Sequence, residues 1–451
     1  MVRLARHDRP TNPRRASVAL LFCLLAIPSL PSLPSFAAPA QPSVTRATVL
    51  ASAKREAVEV RFPSSRAVAL SEVALRMEGL DTEVARALWQ QAEFEAVSPR
   101  DELDRVLART SVCIRLVRSG VMRDKTAAFI LDVYKSCGAL KVARDQAMGF
   151  RRLAPLIRAT SPALWPEAVA KAAEAARLIP EAIVRGTSYA ELALSVAPFD
   201  AKLARQMSAE GEKAWRLADP SDERNLAAAE LSQAWAAVDW EHAVDFSLAL
   251  PDEPSKAQAL RAAAEELAGH DLDKALVAVQ RTPGPELRAV ALAAVSGPAA
   301  AKRPDLADML AEQAIASVAG SAPAVRDLVV EAAAPAIAFT DPDRALALVK
   351  SITDEDLRAS ATIAVATAVS QKDAARALAI LKPLDRPELV EPALPEILGR
   401  LAAKDPAAAL TQAQTILERY LRVLALCRIF DALPVPAATP APAPSPKPAG
   451  G

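Results

Sequence analysis

Asp239 and Asp271, Asp341 and Asp373, and Asp373 and Asp405 are each 32 residues apart, and each unit has Ala four positions after its opening Asp (Ala243, Ala345, Ala377). A second landmark runs backwards from the next Asp. Fifteen residues before it stands a basic residue at Arg66, Arg185, Arg224, Lys256, Arg326 and Arg358; Val390, before Asp405, is the break. Ala69, Ala227, Ala259 and Ala361 follow three positions on, and Val73, Leu192, Leu231, Val365 and Ile397 lie eight before the Asp. Units therefore open near residues 81, 122, 163, 200, 239, 271, 305, 341, 373 and 405, with a partial one before 81. The units near 122 and 163 lack a clean opening Asp. A period of this length marks stacked supersecondary units. Each unit buries its apolar stripe against its neighbours, so there is no single central core.

Each unit reads as two helices. After Asp341, residues Ala345, Leu346, Leu348, Val349 and Ile352 fall on one helical stripe. The Asp341 carboxylate is suited to accept from free N–H groups of the first turn. Pro342 takes the first helical position, where its missing N–H costs nothing, and Asp405-Pro406 repeats the device. The turn 353–356 ends this helix, and a second stripe follows through Leu357, Ala361, Ala364, Val365, Ala368 and Val369. Glycine is scarce, 13 residues in 451, so proline does much of the punctuation, at Pro251, Pro283, Pro304 and Pro383. No run of alternating β-branched residues predicts a strand.

The segment Asp354-Glu355-Asp356-Leu357-Arg358 with Ala361 resembles the HEAT-repeat family, in which an acidic turn leads to an apolar–Arg pair and then a small residue. Leu287-Arg288 with Ala291, Leu421-Arg422 with Ala425, and Val184-Arg185 match the pattern, whereas Leu389-Val390 departs from it. The resemblance implies an all-α fold, a right-handed α–α superhelix of about ten helix pairs, over roughly residues 45 to 433. Tetratricopeptide repeats, also two helices per ~34 residues, are the close competitor. Their Trp, Leu-Gly and Tyr landmarks do not recur here.

The ends differ in kind from the repeats. Arg3, Arg6, Arg9, Arg14 and Arg15 precede a short apolar run from Ala16 to Ile27, and small residues lead to Ala38-Pro39-Ala40. That order predicts a cleaved export signal over residues 1–40, with Gln41 as the first mature residue. The apolar run is too short to span a bilayer. Residues 41–80 are expected to form an N-terminal helical cap with a partial repeat, 81–433 the repeat array, and 434–451 a disordered Pro/Ala-rich tail. Cleavage leaves 49 basic and 53 acidic residues, a formal charge of −4. No basic run with interleaved aromatics predicts nucleic-acid binding. The expected place of action is extracytoplasmic, periplasmic or secreted, with no transmembrane segment in the mature chain.

Residue chemistry points away from catalysis. Of three histidines, His242 and His270 remain after cleavage, neither at metal-ligand spacing from Cys or a second His. No nucleophile motif or phosphate loop occurs. Acid pairs such as Asp354/Asp356 and Asp222/Glu223 read as solvated caps. The recurrent Arg reads as a ladder tying each repeat to the acidic turn of its neighbour. Trp215, Trp235 and Trp240 read as filling an interhelix seam. Export favours a Cys113–Cys137 bridge; helical rise places the two at different levels, so Cys113, Cys137 and Cys427 are expected as free thiols. No catalytic, cofactor-binding or metal-ligating residue is assigned. The expectation is an exported, non-catalytic scaffold for a protein or peptide partner. Its alternatives are an enzyme or accessory subunit of the HEAT-like lyase type, and an envelope protein that self-assembles through its terminal repeats.

Overall fold

The recurring Asp makes the junction between units because it does two jobs at once. Its own N–H donates to the carbonyl four residues back, closing the last turn of the preceding helix: Asp81 to Met77 at 2.8 Å, Asp271 to Leu267 at 2.7 Å, Asp405 to Leu401 at 2.8 Å. Its side chain then caps the next helix, with Asp200 accepting from Leu203 N, Asp271 from Lys274 N, Asp341 from Arg344 N and Asp373 from Arg376 N. At the unit expected to open at Asp305, the junction residue is Arg303. It adopts the same extended backbone (φ −144°, ψ 74°) without a side-chain cap, and Asp305 lies inside the first turn.

The structure, a computed structural model, describes residues 44–435. The expected export signal and all but the first two residues of the expected tail lie outside the described residues. Among the described residues there is no strand, and no helix is long and apolar enough to cross a membrane. Twenty-two helices of eight residues or more pack in consecutive pairs. The first three pairs are α1 (Arg46–Val58) with α2 (Pro63–Met77), α3 (Thr82–Val97) with α4 (Glu102–Leu116), and α5 (Arg123–Ala139) with α6 (Ala143–Thr160). Next come α7 (Trp165–Arg177) with α8 (Ala182–Val196), α9 (Ala201–Arg216) with α10 (Asp222–Ala236), and α11 (Trp240–Leu248) with α12 (Glu253–His270). Then follow α13 (Leu272–Arg281) with α14 (Pro285–Ala300), α15 (Pro304–Ser317) with α16 (Pro323–Ala338), and α17 (Pro342–Lys350) with α18 (Glu355–Val369). In the next pair α19 (Ala374–Leu381) precedes a broken partner: the single turn α20 (Pro387–Val390), a 3-10 turn, and α21 (Leu394–Ala402). The last pair is α22 (Pro406–Ala413) with α23 (Arg419–Ala432). The units near 122 and 163 are thus full pairs; α5 starts without a side-chain cap and α7 after a 3-10 turn.

Consecutive second helices touch one another, whereas consecutive first helices hardly do. The second helices therefore form the tighter, inner layer. α14 is the most enclosed of them at its centre: Ala289 to Ser296 are all buried, and Arg261 of α12 reaches past it to Glu331 of α16 at 2.6 Å. The interfaces are rich in alanine, which lets helices approach closely. Gly211 shows the limit: a Cβ there would meet Gly186 O at 3.0 Å and Leu231 Cδ2 at 2.9 Å.

The array does not end in two free faces. α23 packs against both α1 and α2, as nearly every second helix packs against both helices of the next pair. Arg422 pairs with Glu56 at 3.0 Å, Arg419 with Glu59 at 3.1 Å and Arg76 with Asp431 at 2.6 Å. Arg46 donates to Leu433 O at 2.9 Å and stacks 3.9 Å over Phe430. The solenoid-like array closes into a ring of eleven pairs. Residues 46–77, expected to hold a cap and a partial repeat, form one complete pair of that ring.

Candidate functional site

The recurrent Arg ties neighbouring repeats at some units, Arg66 to Glu95 at 3.1 Å and Arg422 to Glu56 at 3.0 Å, but it also makes a bond that its spacing does not predict. Arg185, Arg288, Arg358 and Arg422 each reach back six residues, to Ile179 O at 2.6 Å, Thr282 O at 3.1 Å, Ile352 O at 3.0 Å and Ile416 O at 2.6 Å. These carbonyls follow the end of the first helix, where no intrahelical donor remains. Each of these four bonds closes the pair to which its Arg belongs. A further tie between pairs is carried one position later. Asp327 accepts from Thr353 N at 2.8 Å, Asp354 N at 3.3 Å and the Thr353 hydroxyl; Glu391 accepts from Leu417 N at 2.6 Å and Glu418 N at 3.0 Å; Asn225 donates to Asp252 at 3.2 Å. In each case a polar side chain on one second helix holds the start of the next.

The aromatic cluster is packing. Trp215 is buried, donates to Arg224 O at 2.7 Å and meets Phe246 edge-on at 5.1 Å. Trp235 stacks on His242 at 4.2 Å, and Trp240 lies under Arg281. His242 and His270 each face one carboxylate, Glu212 at 2.8 Å and Glu266 at 2.9 Å. Burial alone would raise the Glu212 carboxyl, but His242 and Arg216 outweigh it and hold it low. Among the described residues no cluster of three or more His, Cys, Asp or Glu side chains is arranged for a metal.

Cys113, Cys137 and Cys427 are free and buried. Burial pushes Cys137 and Cys427 up to about 12 and Cys113 higher still; Arg109 opposes this at Cys113 and Cys137, and Arg76 at Cys427, more weakly. Two results are expected. Ellman's reagent should leave all three thiols unmodified at pH 8 in the native protein and titrate three once it is unfolded. Because the folded thiols hold their protons more tightly, their contribution to stability is complete below about pH 9. It is lost as the pH rises towards their folded values, since the unfolded chain ionises first. Replacing Cys427 by Ser should reduce that alkaline loss in melts taken between pH 8 and 11.

Two large clefts lie where the second helix of the pattern breaks. Val390 stands at the basic position, and Pro387, Pro392 and Pro395 break the second helix, so in the next pair α18 packs mainly on α19 and the single turn α20, with Arg400 of α21 reaching back to it. Between α19 and α22 this leaves a cleft of about 1110 Å³, walled by Leu378, Leu384, Leu394 and Leu417 and rimmed by Lys382 and Lys404. On the other side of α19, against α17, lies a second cleft of about 840 Å³, lined by Leu346, Ile380 and Pro383 with Arg358 and Arg376. Leu384 and Asp385 wall both, so the two clefts adjoin. Leu417 is 73% exposed, a large apolar side chain at the cleft edge. Arg400 anchors the distal wall, donating to Thr367 O at 3.2 Å and to the Ser370 hydroxyl. The adjoining clefts are apolar along their length and charged at their margins. The one sequence signal for them is the break in the landmarks at Val390.

No model of a known protein family matches the chain, and no curated protein matches it. Among solved structures, the crystal structure of Ton1535 from Thermococcus onnurineus NA1 is similar at 15% identity and a TM-score of 0.34, covering 78% of this chain and 98% of that one. Likeness at that level has no bearing on function.

Proposed function

We propose that this protein is a non-catalytic interaction scaffold of HEAT-like repeats that acts outside the cytoplasm and holds a segment of a partner protein in the paired clefts beside α19. One observation carries the reading: two large clefts adjoin at the pair whose second helix is broken, where Val390 stands in place of the basic landmark. Rigid flanking pairs present a groove that the irregular pair opens, the arrangement in which an apolar chain segment with charged ends is recognised. The HEAT-like assignment draws support from the four Arg residues of the resemblance, at 185, 288, 358 and 422, since all four make the same six-residue clamp. Assembly through terminal repeats loses its motive, because α1 and α23 cover each other.

Leu417→Asp and Ala379→Arg place charge in the groove at exposed positions. Capture from an envelope fraction should recover a partner with the wild-type protein and lose it with either variant, while both variants melt at the wild-type temperature. A partner retained equally by both would move the interaction off this groove. The export reading rests on the order of basic, apolar and small residues before Gln41. Native protein that keeps Met1 would sink it.

A further inference from the structure

The inner wall holds a second, smaller site on the opposite layer of the ring. α6, α8 and α10 are consecutive inner helices, and between them lies a cavity of about 200 Å³. α6 contributes Arg144, Met148 and Arg151 from one stripe; α8 contributes Thr187, Ser188 and Glu191; α10 contributes Glu230. Parallel inner helices set these groups at matched levels. Arg144 lies at one end, the hydroxyls in the middle, and Arg151 with the two carboxylates at the other. Seven residues of helix separate the Arg144 and Arg151 levels, about 10 Å.

The polar groups of this cavity do not satisfy one another. Arg151 pairs with Glu191 at 3.1 Å, yet its Nε is buried with no partner. Glu230 makes no ion pair or hydrogen bond among the described residues, and neither does Arg144. On other second helices Glu72 pairs with Arg76 and Arg115, and Glu331 with Arg261. Glu191 takes the Arg151 guanidinium, and Glu230 stands near it without a partner of its own. Burial and then Glu191 push the Glu230 carboxyl up, and burial pulls Arg151 down despite Glu191. Glu230 and Arg144 are exposed and hold no partner among the described residues, so each is open to a charged group of a ligand.

We propose that this cavity binds a short zwitterionic peptide, with its ammonium between Glu191 and Glu230 and its carboxylate on Arg144. Two extended residues span about 7 Å, which leaves the Glu and Arg side chains to close the rest of the distance. Ser188 and Thr187 face the peptide unit between, and Met148 and Ile183 give it an apolar floor. Charge at both ends is the recognition element, because each end supplies a charge-assisted hydrogen bond that a neutral group cannot match.

Calorimetry on the full chain with L-alanyl-L-alanine tests this. The dipeptide is expected to bind, and its N-acetylated and C-amidated forms to bind about tenfold more weakly or not at all. Glu230→Gln should weaken the dipeptide about tenfold. Arg144→Gln should weaken it similarly while leaving the amidated form unchanged, since that form has already lost the contact. Both substitutions fall at exposed positions, melting curves check that the variants fold, and Ser188→Ala provides a milder third. Absence of dipeptide binding at millimolar concentration, equal binding of the blocked forms, or unchanged affinity in both charge variants overturns the proposal. None of these outcomes bears on the groove beside α19, which is probed by other variants.

Discussion

Asp327→Ala is expected to destabilise the ring by about 2–4 kcal/mol, far more than any surface ion pair in it. Asp327 is only 2% exposed and its carboxylate receives Thr353 N, Asp354 N and the Thr353 hydroxyl from the next pair. Removing the acceptor leaves two backbone donors and a hydroxyl without a partner at the start of α18. Asp327→Asn keeps one acceptor oxygen and should cost about half as much. Burial by itself would raise this carboxyl, but the bonds from Thr353 and Asp354 outweigh it and hold it below the usual carboxylate range. Its contribution is therefore present above about pH 4 and is lost as the pH falls through the lower, folded value. The wild-type advantage over Asp327→Asn should shrink in acid, which melts taken from pH 7 down to pH 3 would show. A constant difference across that range would mean that the carboxylate charge contributes nothing.

That tie was one residue from being read in the sequence. The basic position at 326 stands out because it recurs, and an Arg beside an acidic turn invites an ion-pair reading. Periodicity locates a side chain on a helix face; it does not say whether a long side chain turns forward to the next repeat or back to its own. The opening Asp is legible because its two roles, ending one helix and capping the next, need one residue type at one place. Arg303 shows that the backbone shape persists without it. The groove beside α19 is legible only as an anomaly, Val390 and a run of prolines, because a cleft is the absence of a helix where the pattern expects one. The inner cavity draws on α6, α8 and α10, and side chains such as Arg144, Glu191 and Glu230 form no motif. Ring closure leaves no local mark either. Its ion pairs join residues 355 to 366 positions apart, and it depends on small rotations summed over eleven pairs.

Closure also sets the largest effect expected. In an open array the end pair holds one interface, and stability adds along the row. In the ring every pair holds two. Ending the chain at Glu418 removes α23 and with it Val423, Leu426, Ile429, Phe430 and Leu433, all buried. It uncovers α1 and α2 on one side and α21 on the other. Each such side chain is worth about 1.5–3 kcal/mol when buried, and the loss is of the same order as the 5–15 kcal/mol by which whole domains are stable. The truncated chain should melt at least about 10 °C lower than the full chain, or fail to fold. Failure alone would be ambiguous, so the full-length chain gives the second reading. With Glu56→Cys and Arg422→Cys in place of the seam ion pair, a short bismaleimide should join the two positions almost completely, since the native thiols are buried. Tryptic peptides from α1 and α23 would then appear linked. An open superhelix holds those helices at opposite ends of the row and gives no such product, whatever its stability.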